Sequence, residues 1–288
     1  MWVLKTKKDF FRGLNPTCSM SYVALLAGEG MLPQRVLEGM KKEGHKVLLL
    51  AVKGDTDPSL LQSADSFSWL YPTQLGKAIK LCQKWGVQEI VFAGRVHHKK
   101  IYNLPWLRAD WQSIKLWLSF KDRRADTMLK GVCDLFGKKG IAVAPLKKYL
   151  GPYIVRQDVP SRQLTPQEKE DVLLGVRMAK ELGRLDIGQT VAVKKGAIVA
   201  VEAMEGTDAC IERAALLAGR DLVIVKMAKP HQDERFDLPV IGRNTIDKLI
   251  KVKAKVLALQ GGSTIVVDPE VYAIIAQHSI ALVLLEEA

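Results

Sequence analysis

Three apolar runs limit what this chain can fold into. "SYVALLAGEG" (21–30), "KVLLLAV" (46–52) and "VQEIVFAG" (87–94) are too short to span a membrane. They are also too continuously apolar for a sheet with one wet face. Between them lie "MLPQRVLEGMKKEGH" (31–45) and "PTQLGKAIKLCQKWG" (72–86), whose apolar residues recur at helical spacing and which close on glycine. Strand, helix, strand, helix, strand predicts an α/β first half with a parallel sheet.

The second half reads differently. In "LTPQEKEDVLLGVRMAKELG", Thr165 caps a helix, Pro166 takes its first position and Glu168 completes a capping box. "GQTVAVKKGAIVAVEA" (188–203) is a hairpin turning at Lys194-Lys195-Gly196. Helix and strand patterns then alternate to the end: a helix from Thr207, "DLVIVKMA" as a strand, a helix from Asn244 or Thr245, then strand, helix and strand. The expected division is an extension over 1–20, a first domain over 21–140, a linker region over 141–163 and a second domain over 164–288.

Composition is that of a globular chain, with 48% hydrophobic and 26% charged residues. The formal net charge of +12 favours anionic partners. Much of it is local: from Lys99 to Lys148, twelve Lys or Arg accompany four Asp. Nucleic acid is not the expected partner, because no RRM, KH, zinc-finger or helix-turn-helix signature is present. The four cysteines lack zinc spacing and read as buried thiols of a reducing compartment. The first twenty residues contain no continuous apolar stretch of signal-peptide type.

Several stretches could carry chemistry. "LLAGEGMLP" (25–33) joins a strand to a helix. Gly28 and Gly30 would let backbone N–H groups approach a phosphate, though Pro33 stands where a dinucleotide fingerprint has its third glycine. Taken alone, a plain tight turn is the stronger reading. "FAGRVHHKK" (92–100) ends the next strand, so Gly94 and Arg95 would face the same crevice; His97 and His98 read as solvent-exposed. Trp106, Trp111, Trp117 and Phe120 interleave with Arg108, Lys115, Lys121, Arg123 and Arg124 on a long helical stretch. Core packing is favoured for it, and a membrane-facing edge is the minority reading. At "AVEAMEGTDACIERA" (200–214), Thr207 or Asp208 either caps a helix or helps its N–H groups to hold a phosphate.

The densest stretch is "AKPHQDERFDLPVIGRNT" (228–245). Its carboxylates suit Mg²⁺ or Mn²⁺, and Lys229 and Arg235 beside them suit phosphate-ester cleavage. Asp237, between Phe236 and Leu238-Pro239, ranks above Asp233 as ligand or catalytic group, because a carboxylate among apolar neighbours needs a positive partner. A salt-bridged structural loop explains the same residues about equally well.

Taken together, "LLAGEGMLP", "FAGRV", "LDIGQTVAV", "VEAMEGTDA" and "KPHQDERFDLPVIG" resemble, in order, the LpxI-type UDP-2,3-diacylglucosamine pyrophosphatases of lipid A biosynthesis. The likeness runs from about Ser21 to the C-terminus. It implies a cytoplasmic hydrolase peripheral to the inner membrane, with an anionic membrane surface and a UDP-linked diacyl sugar as partners. A Rossmann-like first domain with a parallel sheet would bind UDP, and a second, mixed α/β domain of uncommon fold would bind the acylated sugar phosphate. With Mg²⁺ (or Mn²⁺), water would attack the α-phosphorus and release UMP and 2,3-diacylglucosamine 1-phosphate (lipid X). The family's critical aspartate falls on Asp237. With the loop reading above, the expected catalytic set is Asp237, Asp233 and Arg235, with Asp237 and Asp233 as metal ligands. The expected substrate contacts are Gly28, Glu29, Gly30, Leu32, Pro33, Gly94, Arg95, Thr207, Asp208, Lys229 and Gln232. Glu29, His97-His98-Lys99 and Ala125-Asp126 depart from the family's usual residues. A non-catalytic nucleotide-sugar binding protein is the alternative, and homo-oligomerisation is left open.

Overall fold

The computed structural model describes residues 22–96, 109–120, 125–155, 162–229, 233–236 and 238–286, with the side chains of Ala125 and Asp126 excepted. The first half is built on five parallel strands: β1 (Tyr22–Ala27), β2 (Lys46–Val52), β3 (Ser66–Leu70), β4 (Glu89–Ala93) and β5 (Ala142–Val143). Their order is β3-β2-β1-β4-β5, the doubly wound arrangement. The apolar runs are continuous because alternate residues feed two cores. Leu25, Leu49 and Val91 pack with Val36, Leu37 and Met40 of helix α1 (Leu32–Lys42). Ala24, Leu48 and Phe92 pack on the other face with Ala78, Ile79 and Cys82 of α2 (Leu75–Lys84).

Two further helices close that second face. Helix α3 (Trp111–Ser119) is capped by Asp110, whose carboxylate accepts from Ser113 N at 2.9 Å. It packs against α2 and α4 (Ala125–Gly137). The long helical stretch is therefore a nine-residue helix within the described residues; Leu104, Trp106, Leu107, Arg108, Lys121, Arg123 and Arg124 lie outside them. Core packing accounts for only one side of α3. Trp111 and Leu118 are 74% and 78% exposed, while the Ser113 side points inward. The spacing of seven places Trp111 and Leu118 on one outward face.

The second half carries a mixed sheet. Strands β6 (Thr190–Lys194) and β7 (Ala197–Val201) form the expected hairpin, and β6 runs antiparallel to β8 (Val223–Lys226). Parallel to β8 lie β10 (Val256–Gln260) and β12 (Ala281–Leu285), giving the order β12-β10-β8-β6-β7. Helices α5 (Pro166–Arg184), α6 (Thr207–Ala218), α7 (Arg243–Lys251) and α8 (Val271–Gln277) complete it. The capping box of Thr165 and Glu168 is present, and α7 begins one residue before Asn244.

The halves are stitched together. Residues 142–155, inside the stretch expected to link them, are folded: β5 belongs to the first sheet, and Leu146, Tyr149 and Leu150 are buried in the first core. Val155 N donates to Thr264 O at 2.9 Å. A two-residue parallel pair, β9 (Val240–Ile241) with β11 (Ile265–Val266), stands apart from both sheets. Ile265, Val267 and Leu238 pack into the first half's core, and Arg35 Nε donates to Val267 O at 2.7 Å.

Candidate functional site

In a doubly wound sheet the ligand crevice opens beyond the carboxyl ends of the strands, where the strand order reverses. Here that point lies between β1 and β4. The loops leaving these strands pair with each other: Gly28 N donates to Ala93 O at 2.8 Å, Glu29 N to Arg95 O at 2.8 Å and Arg95 N to Glu29 O at 3.0 Å. This pairing explains two glycines. A Cβ on Gly28 would stand 2.4 Å from Arg95 O, and one on Gly94, which has φ +88°, would stand 2.7 Å from Glu29 O. Gly30, at φ +97°, faces open space and frees the turn ahead of α1. Met31 precedes α1 without a side-chain cap, Leu32 is half-buried and Pro33 is buried under Gly94. Glu29 and Arg95 are exposed at the rim.

The acid- and base-rich loop leaves β8 in the second half and crosses to this part of the first. Lys229 Nζ pairs with Asp186 Oδ1 at 2.7 Å near its start. Further on, Arg235 grips Asp233 through Nε–Oδ1 at 2.8 Å and Nη2–Oδ2 at 2.6 Å, and Arg235 N also donates to Oδ1 at 3.1 Å. That guanidinium, ahead of desolvation, holds the Asp233 carboxyl below the usual carboxylate range. Asp233 in turn raises Arg235. Glu234 O accepts from Leu146 N at 3.1 Å, and Glu234 pairs with Lys147. Phe236 packs into the core shared by α2 and Phe92. Sequence ranked Asp237 first and included Gln232; both lie outside the described residues.

The second-half group lies at the start of α6, and it includes Lys226, which the sequence reading did not single out. Lys226, only 4% exposed at the end of β8, donates to Thr207 Oγ1 at 2.6 Å. Thr207 donates onward to Glu202 Oε1 at 3.0 Å. Glu202 is 8% exposed, and its Oε2 has no hydrogen-bond partner among the described residues. Asp208 accepts from Thr245 Oγ1 at 2.8 Å, tying α6 to α7. A lysine closing the apolar run "DLVIVK" was the available signal, because a buried ammonium needs acceptors.

Gly28 to Pro33, Gly94 and Arg95 are thus gathered beyond the carboxyl ends of β1 and β4, where Phe236 of the crossing loop joins Gly28, Gly94 and Arg95 around one cavity. Thr207 and Asp208 sit in the second sheet's layer, at the root of the same loop through Lys226. Among the described residues, no cluster of three or more His, Cys, Asp or Glu could hold a metal. Asp233, with both oxygens on Arg235, does not fit a resident Mg²⁺ or Mn²⁺. His97, His98 and Cys18 lie outside the described residues. Burial pushes the thiols of Cys82, Cys133 and Cys210 up to about 12, 11 and 12, which removes them as nucleophiles.

Comparison with known proteins adds the following. The LpxI N-terminal domain model matches residues 22–152, and the LpxI C-terminal domain model matches 156–283. A UDP-2,3-diacylglucosamine pyrophosphatase LpxI of Caulobacter vibrioides is 30% identical over 263 residues, 87% of this chain and 92% of that protein. A UDP-glucose-4-epimerase from Stenotrophomonas maltophila with bound NAD and formylated UDP-arabinopyranose aligns at 13% identity and TM-score 0.29, over 42% of this chain and 34% of that one. The Bordetella bronchiseptica enzyme WbmG in complex with NAD and UDP aligns at 15% identity and TM-score 0.28, over 44% and 37%.

Proposed function

The chain belongs to the LpxI family, and on that footing we propose that it hydrolyses the pyrophosphate of UDP-2,3-diacylglucosamine in lipid A biosynthesis. Water attacks the α-phosphorus, the bond from that phosphorus to the bridging oxygen breaks, and UMP and 2,3-diacylglucosamine 1-phosphate (lipid X) leave. The observation that carries this reading is the 30% identity spread over 92% of a pyrophosphatase of that name.

The chain's own groups suit the parts of that task. The turn at Gly28 to Pro33 and the exposed Arg95 would receive the UDP end, with the uncapped start of α1 favouring a phosphate. Arg235, fixed by Asp233, and Lys229, held by Asp186, would meet the charge that develops on the phosphate oxygens. Asp233 then orients Arg235 instead of ligating metal. Asp237 would take the proton of the attacking water and pass it to solvent. Thr207 and Asp208 would contact the sugar phosphate from the other half. A divalent cation would polarise the phosphoryl oxygens, and Mg²⁺ is often held largely by substrate phosphates plus one or two carboxylates.

Membrane access would come from the surface. Among the described residues no helix is long and apolar enough to cross a bilayer. Trp111 and Leu118 project from α3 within the lysine- and arginine-rich stretch, a combination that favours an anionic interface.

The test is incubation of the purified chain with UDP-2,3-diacylglucosamine in detergent, with and without Mg²⁺ or Mn²⁺. UMP and the lipid 1-phosphate are the expected products. Tight binding of the nucleotide sugar with no UMP under any metal would replace the reading with a non-catalytic binding protein.

A further inference from the structure

A cleft of about 640 Å³ opens in the second half, at the end of its sheet opposite Lys226 and the acid- and base-rich loop. Lys194 and Lys195 line it from the end of β6, Arg220 and Asp221 from the turn before β8, and Lys253 and Lys255 from the turn before β10. The first turns of α5 form the remaining wall and add Glu168 and Asp171. The carboxylates do not cancel the five cations, because two of the three are spent inside the fold. Asp171 is 3% exposed and accepts from Lys195 N at 2.8 Å and Gly196 N at 2.7 Å. Glu168 holds Arg162 with both oxygens, at 2.6 and 2.7 Å, and also accepts from Thr165 N. Asp221 faces solvent, with Arg220 at 3.4 Å and Lys255 at 3.7 Å. Lys194 is turned inward, donating to Ala218 O at 2.5 Å and Arg220 O at 2.7 Å. Lys195 and Lys253 remain: both are exposed, and neither has a carboxylate partner among the described residues. Their positions are fixed by the backbone. Asp221 N donates to Lys253 O at 3.0 Å and Lys255 N to Leu222 O at 2.9 Å, tying the two turns together. Lys195, Asp221 and Lys253 have φ of +49°, +66° and +53°, so three of the five non-glycine residues with positive φ among the described residues line this one cleft. Side chains rarely adopt that region, and such residues gather at ligand clamps.

We propose that this cleft binds an anion carrying two or more phosphoryl groups, with Lys195 and Lys253 as its charge partners and Arg220 and Lys255 beside them. A concave wall with an excess of one charge focuses the field inside it. Separate ammonium groups on that wall favour a ligand with several phosphate oxygens over a single carboxylate, because each can make its own charge-assisted hydrogen bond. The volume falls within the range of small-molecule sites. The cleft is distinct from the reaction site: the four residues of β8, about 13 Å of strand, run between Lys226 and the cleft wall at Val223. A ligand held there leaves both the Gly28 turn and the Thr207 turn open to substrate. The inference does not depend on the pyrophosphatase reading.

The test is calorimetric titration of the whole chain with inorganic pyrophosphate in saturating UDP, which keeps the nucleotide end of the reaction site occupied. A Kd on the order of 0.1 mM is expected for several charge-assisted contacts to one small ligand. Lys195→Ala combined with Lys253→Ala should weaken binding at least tenfold and leave hydrolysis of the nucleotide sugar unchanged. Lys138→Ala combined with Lys139→Ala removes the same charge from an exposed turn of the first half and should leave the Kd unchanged. No binding by the wild type, or equal loss in the two double variants, would overturn the assignment. Two further ligands identify the source of the phosphoryl groups. Loss of ATP binding in the Lys195 and Lys253 variant assigns the cleft to a soluble nucleotide. Loss of binding to vesicles containing phosphatidic acid assigns it to a lipid headgroup. Circular dichroism verifies that each variant is folded. Should the double variant not fold, Lys253→Ala alone should weaken pyrophosphate binding at least threefold, and an unchanged Kd would overturn the assignment.

Discussion

Arg235 donates to both carboxylate oxygens of Asp233, two residues away, through Nε at 2.8 Å and Nη2 at 2.6 Å. A two-residue spacing on an irregular loop allows this grip, and it fixes the direction of a guanidinium that a flexible loop would leave free. The pair sits where the second half's loop meets α4 and Leu146 of the first.

Asp233→Asn removes the charge and keeps the shape. The expected cost is about 1.5–3 kcal/mol of stability, the range for hydrogen bonds to charged groups. A fall of at least tenfold in kcat/KM should accompany it, because Arg235 loses its orientation. Chemical denaturation and steady-state kinetics check the two parts separately.

The same pair fixes a pH window. Asp233 is held below its unfolded value near 3.9, so the folded state favours its ionised form. That stabilisation is fully present above about pH 4 and is lost as pH falls through the folded value. Wild type should therefore lose more stability than Asp233→Asn below pH 4, and the two should differ by a constant amount between pH 6 and 8. Denaturant melts across that range measure the difference.

Thr207→Val keeps the volume and deletes a hydroxyl that serves Lys226 and Glu202 at once. Two buried ionisable groups lose a partner, and a loss of about 3 kcal/mol is expected. Thr207→Ser should recover most of it. Melting of the three proteins side by side provides the check.

Gly28→Ala should destabilise by about 1–3 kcal/mol, because the added Cβ meets backbone carbonyl Arg95 O at 2.4 Å and neither loop can yield without breaking their pairing. Gly30→Ala has open space around it and carries only the strain of φ +97°, a cost of about 1 kcal/mol. Thermal melts should rank the two in that order.

Trp111→Ala combined with Leu118→Ala removes the outward apolar face of α3 and should lower partition onto anionic vesicles severalfold, with little change in melting temperature. Vesicle sedimentation at low salt measures it.

Much of the fold was legible because β1, β2 and β4 are apolar on both faces and α5 carries its own capping box. Strand β3, "SFSWL", was missed: it is an edge strand with Ser66 and Ser68 in alternation, too polar for a buried run. The pair β9 and β11 is two residues long, below any periodicity. The stripe of α3 misled because helical spacing gives one face but not what covers it. Trp111 and Leu118, seven residues apart on one face of α3, lie in the open. At the site, the glycines were visible, but their reason was not. Gly28 and Gly94 make room for each other's loops, a non-local fact. The Lys226–Thr207–Glu202 chain spans 25 positions and forms only when β8 meets the turn before α6.

The most direct measurement of the central claim is hydrolysis of UDP-2,3-diacylglucosamine in water enriched in oxygen-18, with mass spectrometry of both products. The account predicts one labelled oxygen in UMP and none in the lipid 1-phosphate, as attack at the α-phosphorus requires. Label in the lipid 1-phosphate would contradict it.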